Sequence, residues 1–299
     1  MLIDEAQRVK NIGLTLKIIL DQIKNVRLLV SGSSSFELAN QINEPLTGRK
    51  WEYTLLPLST HEMVLHHGAF EESRFLNQRL LFGMYPEVIK NPGQEREVLS
   101  QLASSYLYKD VFAFQDLRKP ELIDKLLKAL AMQVGMQTSY NKLAEVVGSD
   151  ISTVQRYIEL LEKAFIPFRL PAFSRNLRTE LKKSRKIYFY DNGIRNAILG
   201  DFRPLELRND LGGLWENFLV SERYKRNFFH GFYGHAYFWR TVNQQEIDYL
   251  EEYDGGLHAY EFKWNPAKKG KIPAAFAQAY REATFEWIHA ENYQGFLEP

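Results

Sequence analysis

The sequence predicts an α/β chain of several domains, and three stretches carry that prediction. Residues 1–30 read as strand, amphipathic helix, strand; residues 140–190 as two helices joined by a tight turn and followed by two β-rich runs; residues 214–264 as a helix followed by a hairpin. With 299 residues, 45% hydrophobic and 14% aromatic, the chain has material for two or three small cores.

The first stretch opens on Leu2-Ile3 and ends its strand in Asp4-Glu5. Ala6 to Gln22 follows as an amphipathic helix with Leu14, Leu16, Ile18, Ile19 and Ile23 available for burial, then Val26–Val30 as a buried strand running into Ser31-Gly32-Ser33-Ser34-Ser35. An aspartate at a strand end suits Mg²⁺ handling in a nucleotide hydrolase, and an acid beside it can orient the attacking water. Neither grips the nucleotide, which requires a loop of the form G-x-x-x-x-G-K-[ST]. The stretches around Gly32, Gly48 and Gly270 all lack that spacing, so the sequence contains no phosphate cradle.

Ile3-Asp4-Glu5-Ala6-Gln7, Gly32-Ser33-Ser34-Ser35, Leu46-Thr47-Gly48-Arg49 and Leu56-Pro57-Leu58-Ser59 together resemble the second half of a bacterial and archaeal family of AAA+/STAND-like ATPases. Its members carry a C-terminal domain of unknown function related to the PD-(D/E)xK nucleases. The resemblance implies Asp4 and Glu5 as the Walker B pair, Ser33 or Ser34 as the polar sensor of the γ-phosphate, and Arg49 as a phosphate-facing arginine. It also implies that the sequence opens inside the ATPase domain, with the Walker A half missing. ATP, the cofactor of the full-length family, is not expected to bind this chain.

Composition narrows the partners. Lys and Arg total 38 against 37 Asp and Glu, a net charge of +1, so any nucleic-acid contact must be local. There are no cysteines, which excludes disulfides and thiolate zinc sites and suits a reducing compartment. The seven histidines show no metal-ligand spacing. No apolar run has membrane-spanning length and no leader follows Met1, so the expected location is cytoplasmic, without a membrane.

From Ser59 or Thr60, either of which can cap a helix, the pattern is helical to about Lys128, broken at Gly83-Met84-Tyr85-Pro86 and Asn91-Pro92-Gly93. Residues 61–129 thus read as a helical lid or connector after a partial ATPase core at 1–60. The aromatic cluster within Tyr106–Val111 reads as core. Residues 130–200 read as a winged helix: Tyr140–Val147, a turn at Gly148-Ser149-Asp150, and a helix capped by Ser152 that runs to Ala164 and exposes Gln155, Arg156 and Glu159. The β-like runs 165–170 and 186–190 flank a basic segment with Arg175, Arg178, Lys182, Lys183, Arg185 and Lys186, which is the expected DNA contact.

Residues 201–299 hold the second constellation. A helix from Leu214 to about Asn227 carries Glu216; strands at 237–240 and 246–250 lead through Asp254-Gly255-Gly256 to a return strand bearing Glu261-Phe262-Lys263. If Asp254-Gly255 form the loop, Asp248 stands opposite Glu261; if Gly255-Gly256 do, it stands opposite Lys263. Glu261 and Lys263 share a face in either register. The set is similar to the PD-(D/E)xK nuclease core, which implies Glu216 as the helix acid, Asp248 and Glu261 as the carboxylates that hold Mg²⁺, and Lys263 as the cation near the attacked phosphate, all four catalytic.

Two functions are expected from these readings. One is a DNA-associated member of the ATPase family with a nuclease-like C-terminal domain and metal-dependent deoxyribonuclease chemistry. The other is a non-catalytic module from a truncated ATPase that binds DNA or a protein partner.

Overall fold

The computed structural model describes residues 1–32, 46, 48–106, 120–174, 185–268 and 271–298. At the N-terminus β1 (Leu2–Ile3) and β2 (Leu29–Val30) pair in parallel, joined through a 3-10 turn at Ala6–Arg8 and α1 (Ile12–Gln22). The expected continuous helix from Ala6 is interrupted because Asn11 takes a left-handed conformation, φ 55°, which asparagine tolerates. Ala6, Ile12, Leu16 and Leu46 make a small core. Leu14, Ile18, Ile23 and Leu29 are 54, 45, 52 and 66% exposed, against the expectation of burial. Among the described residues one helix lies on this pair of two-residue strands, and a helix buries only the stripe that faces its partner.

The helical stretch begins as expected. Ser59 accepts from the Glu62 N–H while the Glu62 carboxylate takes the Ser59 N–H at 2.8 Å, a capping box that starts α2 (Thr60–His67). There follow α3 (Ala69–Arg74), α4 (Leu76–Phe82), α5 (Pro86–Lys90), α6 (Glu95–Gln101), a π-helical turn at Leu102–Tyr106, and α7 (Pro120–Met132). Of the expected cluster at 106–111, all but Tyr106 lies outside the described residues. The break at Gly83 has a steric cause: φ is 67°, and a Cβ there would lie 2.0 Å from Asp191. Asp191 accepts from the Met84 N–H at 2.7 Å and from the Ile194 N–H at 3.1 Å, tying this turn to the start of a later helix.

Next come β3 (Gln137–Thr138), α8 (Tyr140–Val147), α9 (Ile151–Lys163), β4 (Pro167–Pro171), β5 (Arg185–Phe189) and α10 (Asn192–Leu199). The three strands form an antiparallel sheet in the order β3-β5-β4. Asp150, not Ser152, caps α9, accepting from the Thr153 N–H at 2.8 Å. Asp150 has the extended backbone a cap needs, whereas Ser152 is already inside the first turn and donates to Asp150.

The last segment is α11 (Leu211–Phe229), β6 (His235–Arg240), β7 (Glu246–Tyr253), β8 (Gly256–Phe262), α12 (Ala274–Ala279), β9 (Thr284–Ile288) and α13 (Tyr293–Leu297). The sheet order is β6-β7-β8-β9, antiparallel except for the parallel β8–β9 pair. Asp254 and Gly255, φ 50° and 75°, form the hairpin loop with Tyr253 opposite Gly256, which is the first of the two registers considered from sequence. The two larger sheets meet where the Phe173 N–H donates to the Phe238 carbonyl at 2.7 Å. One apolar core runs from Met63 to Leu297 and includes Leu126, Leu161, Tyr188, Trp215 and Phe262; a smaller one, with Trp239, Ile247, Leu250 and Phe276, covers part of the last sheet. β5 packs on α11, where the Asn217 carboxamide holds both backbone groups of Phe189 at 2.7 and 3.1 Å. This contact brings two separate sheets to one cluster of charges.

Candidate functional site

At the N-terminus, Asp4 closes β1 and accepts from the Glu5 N–H at 3.0 Å and from the Ser31 hydroxyl just beyond β2. Ser33 and Ser34 lie outside the described residues, so the serine that meets Asp4 is Ser31. Glu5 pairs with Arg8 at 3.0 Å and Arg49 with Asp21 at 2.8 Å, both between largely exposed side chains. Screened surface pairs of this kind contribute little.

The C-terminal acids are in a different environment. Glu216, one turn into α11, accepts from Lys186 Nζ at 2.8 Å and from the Tyr188 hydroxyl at 2.6 Å. Lys186 is 1% exposed, and its ammonium also lies 2.5 Å from Glu246 and 3.8 Å from Asp248. Three carboxylates therefore surround one buried cation. Burial alone would lower the Lys186 pKa, but the charges of Glu216, Asp248 and Glu246 outweigh it and hold the group above its ordinary value. Burial pushes Glu216 up to about 7, Asp248 adds to the rise, and the Lys186 charge opposes it. Arg240 closes the outer side of Glu246 at 3.2 Å.

Asp248 reaches this cluster because β7 is bulged. Tyr237 pairs with Leu250 and Trp239 with Ile247, so Asp248 and Tyr249 together face the single residue Phe238. A bulge interrupts the alternation of side chains and re-aims them. Ile247 and Leu250 stay together in the smaller core while Asp248 turns to the cations. The β7–β8 ladder ends at Tyr249↔Tyr260, and past it the Asp248 carboxylate accepts from the Phe262 N–H at 2.9 Å. Glu261, the next position, pairs with Lys263 at 2.6 Å. Burial, then the charge of Asp248, raises the Glu261 pKa; Lys263 is raised by its bond to Glu261 despite burial that acts the other way.

The four expected residues are thus neighbours, arranged as two adjoining groups: Glu216 and Asp248 about Lys186, and Glu261 with Lys263. Among the described residues no three acid or imidazole groups gather as a metal cage. Mg²⁺ does not need one, since it retains waters and is commonly held by one or two carboxylates together with substrate phosphate. Asp248 and Glu261, on adjacent strands, fit that requirement; Glu216 is committed to Lys186 and Tyr188.

The expected DNA-contacting set is divided differently. Arg175, Arg178, Lys182 and Lys183 lie outside the described residues. Arg185 donates to the Tyr140 hydroxyl at 2.6 Å and stacks on that ring, 5.1 Å from its centroid. Lys186 is no surface cation: it is the buried centre of the carboxylate cluster, because β5 is the middle strand of its sheet and turns this side chain toward α11. Sequence reasoning missed Lys186, Tyr188 and Glu246 as members of the cluster. The available signal was a lysine, Lys186, directly before the apolar and aromatic run Ile187–Tyr190 and two positions before Tyr188.

Family models match three stretches of the chain: an AAA domain at residues 1–64, a domain of unknown function (DUF8612) at 73–204, and a domain of unknown function (DUF4143) at 211–291. The chain is similar to an uncharacterized protein of Mycobacterium tuberculosis, 25% identical over 265 residues, covering 87% of this chain and 58% of that protein. Similar uncharacterized proteins occur in Haemophilus influenzae, 23% identical over 76% of this chain and 56% of the relative, and in Methanocaldococcus jannaschii, 24% identical over 83% and 57%. The chain spans less than two thirds of the length of these relatives. No solved structure matches. No helix among the described residues is long and apolar enough to cross a membrane. The chain therefore combines an AAA-type N-terminal segment with a C-terminal domain whose relatives are uncharacterized.

Proposed function

We propose that this chain belongs to a DNA-associated protein of ATPase type whose C-terminal domain, from about residue 201, is nuclease-like and acts on phosphodiesters with a divalent metal. The observation that carries this reading is the meeting of Glu216 on α11, Asp248 on β7, and Glu261 with Lys263 at the end of β8. Asp248 and Glu261 would hold Mg²⁺, which when bound would lower the pKa of a water and offset charge on the phosphate. Lys263 would hold a phosphate oxygen, and Lys186 keeps Glu216 and Asp248 in place. In the same reading residues 1–60 are AAA+ core, 61–129 a helical lid, and 130–200 a winged helix whose basic segment touches DNA.

The test is cleavage of supercoiled DNA with Mg²⁺ or Mn²⁺ by the wild type, Asp248→Ala and Glu261→Ala. Metal-dependent nicking that both substitutions abolish is the expected result; nicking that survives both would refute the site. The same 299-residue polypeptide should show no ATP hydrolysis that Asp4→Ala removes, since its sequence lacks a phosphate cradle.

A second reading is favoured by one observation. The Lys186 ammonium already lies within 4 Å of three of the carboxylates, which suits a domain kept for binding rather than catalysis. Metal-induced stabilisation without cleavage would support it.

A further inference from the structure

β9 carries a feature that the carboxylate cluster does not use. It runs parallel to β8 with Trp287 beside Glu261, and Phe285, two positions earlier, meets the Trp287 ring edge-on at 4.7 Å. Against these rings opens a cavity of about 250 Å³, whose wall includes Lys263, Asn265, Lys268 and His289, with Glu286 its one acid. Lys263 belongs to both places, since its ammonium pairs with Glu261 while its side chain lines the cavity.

We propose that this groove seats one nucleotide of an unpaired nucleic-acid strand, its base against Trp287 and its phosphate between Lys263 and Lys268. The proposal rests on the nuclease-like reading for its orientation, because a phosphate at Lys263 is thereby brought beside Glu261 and Asp248. Size and chemistry select the ligand. The cavity is smaller than the roughly 300–1,000 Å³ of sites that enclose whole small molecules, and its volume is far too small to take a duplex. A paired base has its faces covered by neighbours, whereas an unpaired one offers a π-face to an aromatic side chain whatever its identity. Lys268 is exposed, so its charge is available to a phosphate.

The test is binding of end-labelled single strands of thymidylate and uridylate, and of a hairpin duplex of equal length, followed by fluorescence anisotropy in EDTA. Both single strands should bind more tightly than the duplex. Trp287→Ala should weaken single-strand binding roughly ten- to hundredfold, the range found for losing one stacked base. Trp287→Phe should retain most of it, since the indole N–H has no hydrogen-bond partner among the described residues. Lys268→Ala should reduce the salt dependence by about 0.7 in slope, one single-strand phosphate contact. A duplex preference, or unchanged affinity and salt slope in Trp287→Ala and Lys268→Ala, would overturn the proposal. Cleavage lost in Asp248→Ala with strand binding untouched in both groove variants would refute the groove alone. Strand binding lost in Trp287→Ala by a protein that cleaves nothing would keep the groove and refute the nuclease reading.

Discussion

Acids on or beside strands were read as functional in two places, at Asp4-Glu5 and at Asp248 with Glu261, and the two places differ in everything but residue type. Asp4 is exposed, at the end of a two-residue strand, with a serine hydroxyl and a backbone N–H as partners. Asp248 sits on a bulged strand of a four-stranded sheet, within 4 Å of a lysine that is itself 1% exposed. Charge that is removed from water interacts far more strongly than charge that is not. Acids of the same type thus carry different chemistry according to what the fold packs behind them: the N-terminal pair stays in water, while the C-terminal acids are held against a buried cation.

The largest expected effect comes from removing the cation that the second site is built around. Lys186→Met leaves Glu216, Glu246 and Asp248 facing one another and should cost about 3–5 kcal/mol in urea unfolding. A loss below about 1 kcal/mol would show that the cluster is hydrated rather than buried.

Glu216 gives the next largest. Its folded pKa of about 7 lies above the 4.5 of the free side chain, so between those values the folded protein holds a proton that the unfolded chain has released. Its contribution to stability therefore declines as pH rises from 4.5 to about 7, by on the order of 3 kcal/mol, and is flat above that. Glu216→Gln should remove this decline from unfolding free energies measured at pH 5 and pH 8; an unchanged decline would assign the proton elsewhere. At the N-terminus the effects should be small. Arg49→Ala, which breaks an exposed pair with Asp21, should change stability by roughly 0–1 kcal/mol, and a larger loss would erase the contrast between the two regions.

Much of the α/β order was legible. Alternation and turn chemistry located a helix start at Ser59 or Thr60, the helix Tyr140–Val147 and a hairpin turn within Asp254-Gly255-Gly256, because each is fixed by residues within a few positions of one another. The hairpin count likewise brought Asp248 near Glu261. What sequence could not supply was long-range. Lys186 reads as one more cation of a basic segment until β5 is seen to pack on α11, thirty residues on. The β7 bulge leaves no mark in Glu246-Ile-Asp-Tyr-Leu250, since it is defined by the partner strand. β9 was missed because Thr284–Ile288 is short and gains its meaning only from lying beside Glu261. Leu14, Ile18 and Ile23 were expected inside because periodicity reports an apolar stripe, not whether anything covers it.

The most direct measurement of the claim that the C-terminal acids form the functional site is calorimetric titration of Mn²⁺ into the protein together with a non-cleavable DNA oligonucleotide. It would compare the wild type, the Asp248→Asn/Glu261→Gln double variant and Asp4→Asn. The account predicts a binding heat that the double variant loses and Asp4→Asn keeps. Binding that persists in the double variant, or that disappears with Asp4 alone, would contradict it.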